Sequence, residues 1–329
     1  MKKNCFYHLF IIPVLLAFTV CSCSTEGNIQ QILRTSVEAP VFLGHHPASS
    51  TEIIFKFSVP VRVSSLHLDP AMDVKSISEG SELIVTFPKP LEAGKKIIAD
   101  IVVEDSGRNS LNVIIPFRAR NDRMPVIVFN ELRTENTKPK AEFVEFYILE
   151  PGNLGAMRLF IASNSLSKPV YEFPPIEVKA GEYIVLHLRT TEEGCVDETG
   201  DDLSLSGGTE AQKDARDLWI PGNTKLLRKT DALLLLDQDD RIIDGVLLCE
   251  NPEAGWGNKK DISEAAELLS RQRVWKSDPA AAIFTKNTTN TRTICRDETI
   301  PAGQEAESWY ITATSGATPG KQNNVKRYQ

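Results

Sequence analysis

Short runs of β-branched and aromatic residues, recurring along the chain with Gly, Pro and Asp between them, restrict this chain's fold most. Ile53-Ile54-Phe55-Lys56-Phe57, Leu83-Ile84-Val85-Thr86-Phe87, residues 96–103 and residues 111–117 are four such runs. Between them lie turn signals at Ser58-Val59-Pro60, Glu79-Gly80-Ser81, Pro88-Lys89-Pro90 and Asp105-Ser106-Gly107-Arg108-Asn109. After Asn121-Asp122-Arg123-Met124-Pro125 the pattern resumes at residues 126–132, 142–149, 183–188, 233–236 and 242–249. Runs of this length suit strands and are too short to cross a bilayer as helices. The spacing therefore predicts an all-β chain in two units, split near residues 121–125. One exception is residues 261–275, where Ile262, Ala265, Ala266, Leu268 and Leu269 recur at helical spacing with Asp261 near the N-cap.

The N-terminus has a different character. Lys2 and Lys3 precede an apolar run over residues 9–20, long enough for a signal-peptide core and too short for a membrane span. The run ends in Val20-Cys21-Ser22-Cys23, which resembles the lipobox of bacterial lipoproteins, with Val20 and Cys21 where Leu and Ala, Ser or Thr are usual. The resemblance implies cleavage after residue 22, lipidation of Cys23, and a Gram-negative envelope protein held by palmitate-type acyl chains. Residues 23–38 then read as a polar tether.

The chain has 37 Lys and Arg against 44 Asp and Glu, a net charge of −7. That balance disfavours nucleic acid, whose phosphates it repels. Past Cys23, the cysteines are Cys195, Cys249 and Cys295, an odd number. Cys249 closes an apolar run and reads as buried, which leaves Cys195 and Cys295 as a candidate disulfide. Neither their spacing nor His45, His46, His67 and His187 suggests zinc.

Two resemblances refine the fold. Phe55 to Val61, Leu91-Glu92-Ala93-Gly94-Lys95 and Val103 to Asn109 are similar in order to bacterial Ig-like domains. This places an Ig-like β-sandwich at residues 39–121, its Asp105-to-Asn109 turn using Gly107 for a positive φ. Residues 124–325 resemble the lamin-tail domain. The motifs are Phe129-Asn130-Glu131-Leu132, Glu142-Phe143-Val144-Glu145-Phe146, residues 178–186, residues 234–244, Trp309, and Thr318-Pro319-Gly320-Lys321-Gln322-Asn323. The excess over that family's usual length lies in insertions at residues 189–220 and from Cys249 to about Pro301. The fold expected is thus two Ig-like β-sandwich domains in tandem, with one short helix in the second.

The family resemblance implies no fixed ligand, and no nucleophile elbow, zincin motif or phosphate loop is present. A non-catalytic, lipid-anchored protein with a binding, adhesion or scaffolding role and a protein or glycan ligand follows, without cofactor. Two alternatives stay open. Trp219 and Trp256, in glycine-flanked loops of the insertions, would form a stacking platform if both rings were exposed on one face, giving a carbohydrate-binding lipoprotein. Asp197, Asp201 and Asp202, in the acidic run 192–202, would serve an envelope hydrolase or a calcium ion if they converged.

Overall fold

The computed structural model describes residues 39–257, 259–300 and 305–329. The leader, Cys23 and the tether lie outside the described residues. The fold is all-β and sandwich-like, with a single α-helix among the described residues.

The first unit contains β1 (Phe42–Ser49), β2 (Glu52–Asp69), β3 (Ser76–Ser78), β4 (Gly80–Thr86), β5 (Lys96–Asp105) and β6 (Ser110–Arg118). The four runs predicted as strands fall in β2, β4, β5 and β6. The turn predicted at Ser58-Val59-Pro60 is not one, because β2 runs straight through it for 18 residues. Its first half pairs with β1 and β4, and from Val61 onward it pairs with β5. Pro60, which has no N–H for a ladder, stands where the partners exchange. The two halves of the sheet face each other across Ile53, Phe55, Leu83, Val85, Ile97, Ala99, Ile101, Val103 and Phe117. The Phe55 and Phe117 rings meet edge to face at 6.1 Å. In the turn after β5, Asp105 Oδ1 accepts the amides of Gly107 and Asn109, but the positive φ belongs to Arg108 (65°), not Gly107.

The second unit adds β7 (Val126–Arg133), β8 (Phe143–Glu150), β9 (Gly152–Asn153), β10 (Arg158–Ile161), β11 (Tyr171–Glu172), β12 (Glu177–Val178), β13 (Tyr183–His187), β14 (Arg216–Trp219), β15 (Asp231–Leu236), β16 (Ile242–Cys249), β17 (Ile283–Phe284), β18 (Ile294–Arg296) and β19 (Trp309–Ile311). One sheet has the order β11-β10-β15-β16-β17 and the other β14-β13-β8-β7-β18-β19, with β9 and β12 paired separately. Their facing sides share one core, from Phe129, Phe146 and Leu186 to Leu233, Leu235 and Val246.

The predicted helix is α1 (Lys260–Arg271). Lys259 is its N-cap and makes no side-chain cap bond, so Asp261 lies in the first turn instead. Ile262, Ala265, Ala266 and Leu269 face inward. A Cβ on Gly245 of β16 would lie 2.2 Å from Leu269 Cδ2, which shows how closely α1 approaches the sheet. Layered between α1 and the other sheet, β15 and β16 are buried on both sides. This is why their sequences read as continuous apolar runs rather than alternating ones.

The boundary at residues 121–125 is a packed seam rather than a loose linker. Asn121 is buried, its Nδ2 donating to the carbonyls of Asn153 (2.7 Å) and Gly155 (2.8 Å). Its backbone N–H donates to Gln238 Oε1, and Gln238 Nε2 donates back to its carbonyl. A Cβ on Gly155 would sit 2.5 Å from the Ala93 carbonyl, and one on Gly94 2.7 Å from the Ala156 nitrogen. No helix among the described residues is long and apolar enough to cross a membrane.

Candidate functional site

Three places concentrate polar chemistry. The first is the outer side of the six-stranded sheet. Glu131 on β7 and Glu145 on β8 alternate outward from the core residues beside them, yet neither reaches solvent. Both Glu131 oxygens accept the Thr318 amide at 3.1 Å, and Oε2 also accepts the Thr318 hydroxyl. Glu145 Oε2 accepts the Gly320 amide (2.5 Å) and Oε1 accepts Asn130 Nδ2 (2.8 Å). Asn323 Nδ2 donates to the Arg296 carbonyl (3.0 Å) and to Asn130 Oδ1 (3.1 Å). The motif residues Asn130, Glu131, Glu145, Thr318, Gly320 and Asn323 thus form one clamp that straps residues 318–323 over β7 and β8. Burial, then the Glu131 charge beside it, drives the Glu145 carboxyl well above its usual range. The Cys295 thiol on β18 is also pushed well up, first by burial and then by Glu131.

Two further buried carboxyls titrate apart from the rest. Burial pushes Asp231 and Asp244 up to about 6, although backbone amides donate to each. The folded chain therefore holds these protons at pH values where the unfolded chain has released them. The stability they contribute is complete below about pH 4 and is lost as pH rises through about 6. Asp105, Asp202, Asp239 and Asp297 are lowered by hydrogen bonds, Asp239 foremost by Arg120, so they act in a separate window below pH 4. Asp244→Asn is expected to flatten the loss of stability between pH 4 and 6, measured by denaturant midpoints. An unchanged slope would mean that Asp244 does not carry it.

The second place is the 189–220 insertion. Trp219 is not displayed to solvent but is 6% exposed, stacked on His187 at 3.7 Å and 11°. Its Nε1 donates to Ser206 Oγ, and His187 Nε2 is 2.8 Å from Asp217 Oδ1. The sequence suggested a loop here, whereas β14 pairs in parallel with β13 and turns this ring into the fold. Trp256 is half-buried against the core from the turn after β16, so the two rings form no shared platform. Asp197 accepts the Trp219 amide and the Tyr171 hydroxyl. Asp202 caps Ser204, and Asp201 is exposed. These acids pin the loop rather than converge. Among the described residues, no group of three or more His, Cys, Asp or Glu is placed to hold a metal ion. Glu142 is buried and ion-paired with Arg189 (2.5 Å). Cys195, Cys249 and Cys295 are all free thiols, so the candidate Cys195–Cys295 disulfide does not form, and Cys295 lies buried in β18.

The third place is a cleft of about 610 Å³ between the units. The first unit lends it His45, His46 and Pro47 of β1, Lys96, Ile97 and Ile98 of β5, and residues 116–120. The second unit closes it with Ala156, Arg158, Glu172, Gln238 and Asp239. Arg118 pairs with Glu172 at 2.5 Å, and Arg120 grips Asp239 through two bonds of 3.0 and 2.8 Å, so both pairs cross the seam. Partial burial, and His46 beside it, push the His45 imidazole below its ordinary value. An apolar floor with a few convergent polar groups, at a junction between units, is the usual form of a small-ligand site. Nothing in the sequence pointed here, since the cleft exists only once the seam has formed.

An uncharacterized protein of Treponema pallidum (strain Nichols) is 25% identical over 246 residues, covering 69% of this chain, which spans 61% of that relative's length. A crystal structure of a DUF4876 family protein from Bacteroides thetaiotaomicron VPI-5482 aligns over 83% of this chain and 92% of that one, with 10% identity and a TM-score of 0.30. Residues 125–311, more than half of the chain, match the family model TP_1001_2nd, described as a protein second domain, and the chain belongs to that family.

Proposed function

We propose that this chain is a non-catalytic, lipid-anchored protein of the cell envelope whose inter-unit cleft binds a ligand. The cleft carries the reading: it is concave, has an apolar floor and is framed by cross-seam ion pairs that hold its walls in place. The buried carboxylates most reminiscent of a reaction centre, Glu131 and Glu145, are taken up by backbone amides of residues 318 and 320, which favours a structural role for them. The leader and Cys23 support attachment to a membrane through lipid, with the two β-rich units displayed beyond a tether.

Ile98→Trp tests the cleft. Ile98 is 43% exposed on the cleft wall, so an indole there fills space without entering the core. Compounds of varied chemistry that raise the melting temperature of the parent should fail to do so in this variant. Shifts that persist unchanged in Ile98→Trp would place binding elsewhere. The anchor is tested by labelling cells with palmitate, where a Cys23→Ala chain that still takes up label defeats the assignment.

A further inference from the structure

The wall of the cleft formed by β5 and β6 carries an unbalanced charge. Lys96 and Arg118 are directly opposite in the antiparallel ladder, so their side chains share a face. Like charges so placed disfavour the pairing. Arg118 is relieved by Glu172, Arg120 by Asp239 and Arg158 by Asp240. Among the described residues Lys96 makes no ion pair, and it stands exposed at the mouth.

Between β5 and β6 the same face continues as apolar surface, bordered on β2 by Asp69 opposite Ile98 and His67 opposite Asp100. Ile98 and Pro116 form the next rung, and beyond it Ile114, 69% exposed, stands opposite Asp100. Same-face rungs are about 7 Å apart, so the strip runs roughly 14 Å from the lysine. A cation at one end, an apolar strip, and an acid at the far end make a surface with a direction. The two edge strands lining the cleft each carry a proline, Pro47 on β1 and Pro116 on β6. A proline removes a ladder donor and makes an edge a poor template for an added strand, which argues against an extended peptide.

Resting on the cleft as the binding site, we infer that it takes a single-chain amphiphile with a carboxylate head. The head pairs with Lys96, and the tail lies along Ile98, Pro116 and Ile114. Such a ligand replaces the Lys96–Arg118 repulsion with a charge-assisted bond and covers exposed apolar surface.

The test uses the purified full-length chain and a fluorescent dansyl-undecanoate probe. Decanoate should displace the probe, whereas decanol, lacking the charge, and acetate, lacking the tail, should not at equal concentration. Lys96→Glu should weaken decanoate about tenfold, the scale of one charged hydrogen bond. Its melting temperature should hold or rise, because the new carboxylate faces Arg118, so loss of binding cannot be confused with loss of fold. Ile98→Ser should weaken decanoate as well. Displacement by decanol as good as by decanoate, indifference to Lys96→Glu, or no displacement at all overturns the inference. If decanoate fails while another compound's thermal shift is abolished by Ile98→Trp, the amphiphile is wrong and the cleft stands. If neither binds, both fall.

Discussion

Glu145→Ala should cost about 3–5 kcal/mol, the range for a truncation that leaves a buried void and buried donors without their acceptor. At 2–4 °C per kcal/mol for a unit of this size, the melting temperature falls by roughly 10 °C. Two effects add. The side chain is fully buried, so its loss leaves a void, and the Gly320 amide and Asn130 Nδ2 lose their acceptor. Glu145→Gln should cost less, about 1–2 kcal/mol. It keeps an oxygen for Gly320 but can turn its amino group against Asn130. Hydrogen exchange provides the local readout. The amides of Thr318 and Gly320 should lose protection in Glu145→Ala at denaturant concentrations where β15 and β16 remain protected. Protection lost evenly throughout would mean that the clamp is not a separate element.

The seam gives the second large effect. In Gly155→Ala the new Cβ would meet the Ala93 carbonyl oxygen at 2.5 Å and the carbonyl carbon at 2.9 Å. Backbone cannot swing aside as a side-chain tip can, so the two units must separate. Overpacking of this kind costs about 1–3 kcal/mol. The upper end is expected, because Asn121 then also loses its bonds to the Asn153 and Gly155 carbonyls. Limited proteolysis within residues 121–125 should become fast, and the Arg120–Asp239 and Arg118–Glu172 pairs should open with it. Two units that still melt in one transition, with an uncut linker, would contradict this reading of the glycine.

The strands were legible where packing is one-sided. Residues 96–103 alternate because Ile97, Ala99, Ile101 and Val103 face a core and their neighbours do not. A break in alternation, as at Ser58-Val59-Pro60, looks the same whether the chain turns or changes partner, so the continuity of β2 could not be read. Glu131 and Glu145 stood in recognisable motifs, but a charge on a strand reads as solvent-facing. Their burial depends on residues 175 and more positions away. Trp219 misled for the same reason: a Gly- and Pro-flanked indole looks like a loop until its parallel partner β13 is known. The cleft was least legible. Lys96 looks like any lysine opening a strand, and its isolation follows only from how its neighbours pair across the seam.

The strap over β7 and β8 also sets an order of events in time. Closing so long a loop adds little to the equilibrium free energy, since that cost grows only with the logarithm of length. Yet Gly320 follows Glu145 by 175 positions, so wherever folding proceeds from the N-terminal side its amide arrives late. Until it arrives, two acids wait on a bare sheet, hydrated and able to ionise. Docking of the strap is therefore also a dehydration and a proton uptake. A newborn chain should finish sooner in mildly acidic surroundings than in alkaline ones.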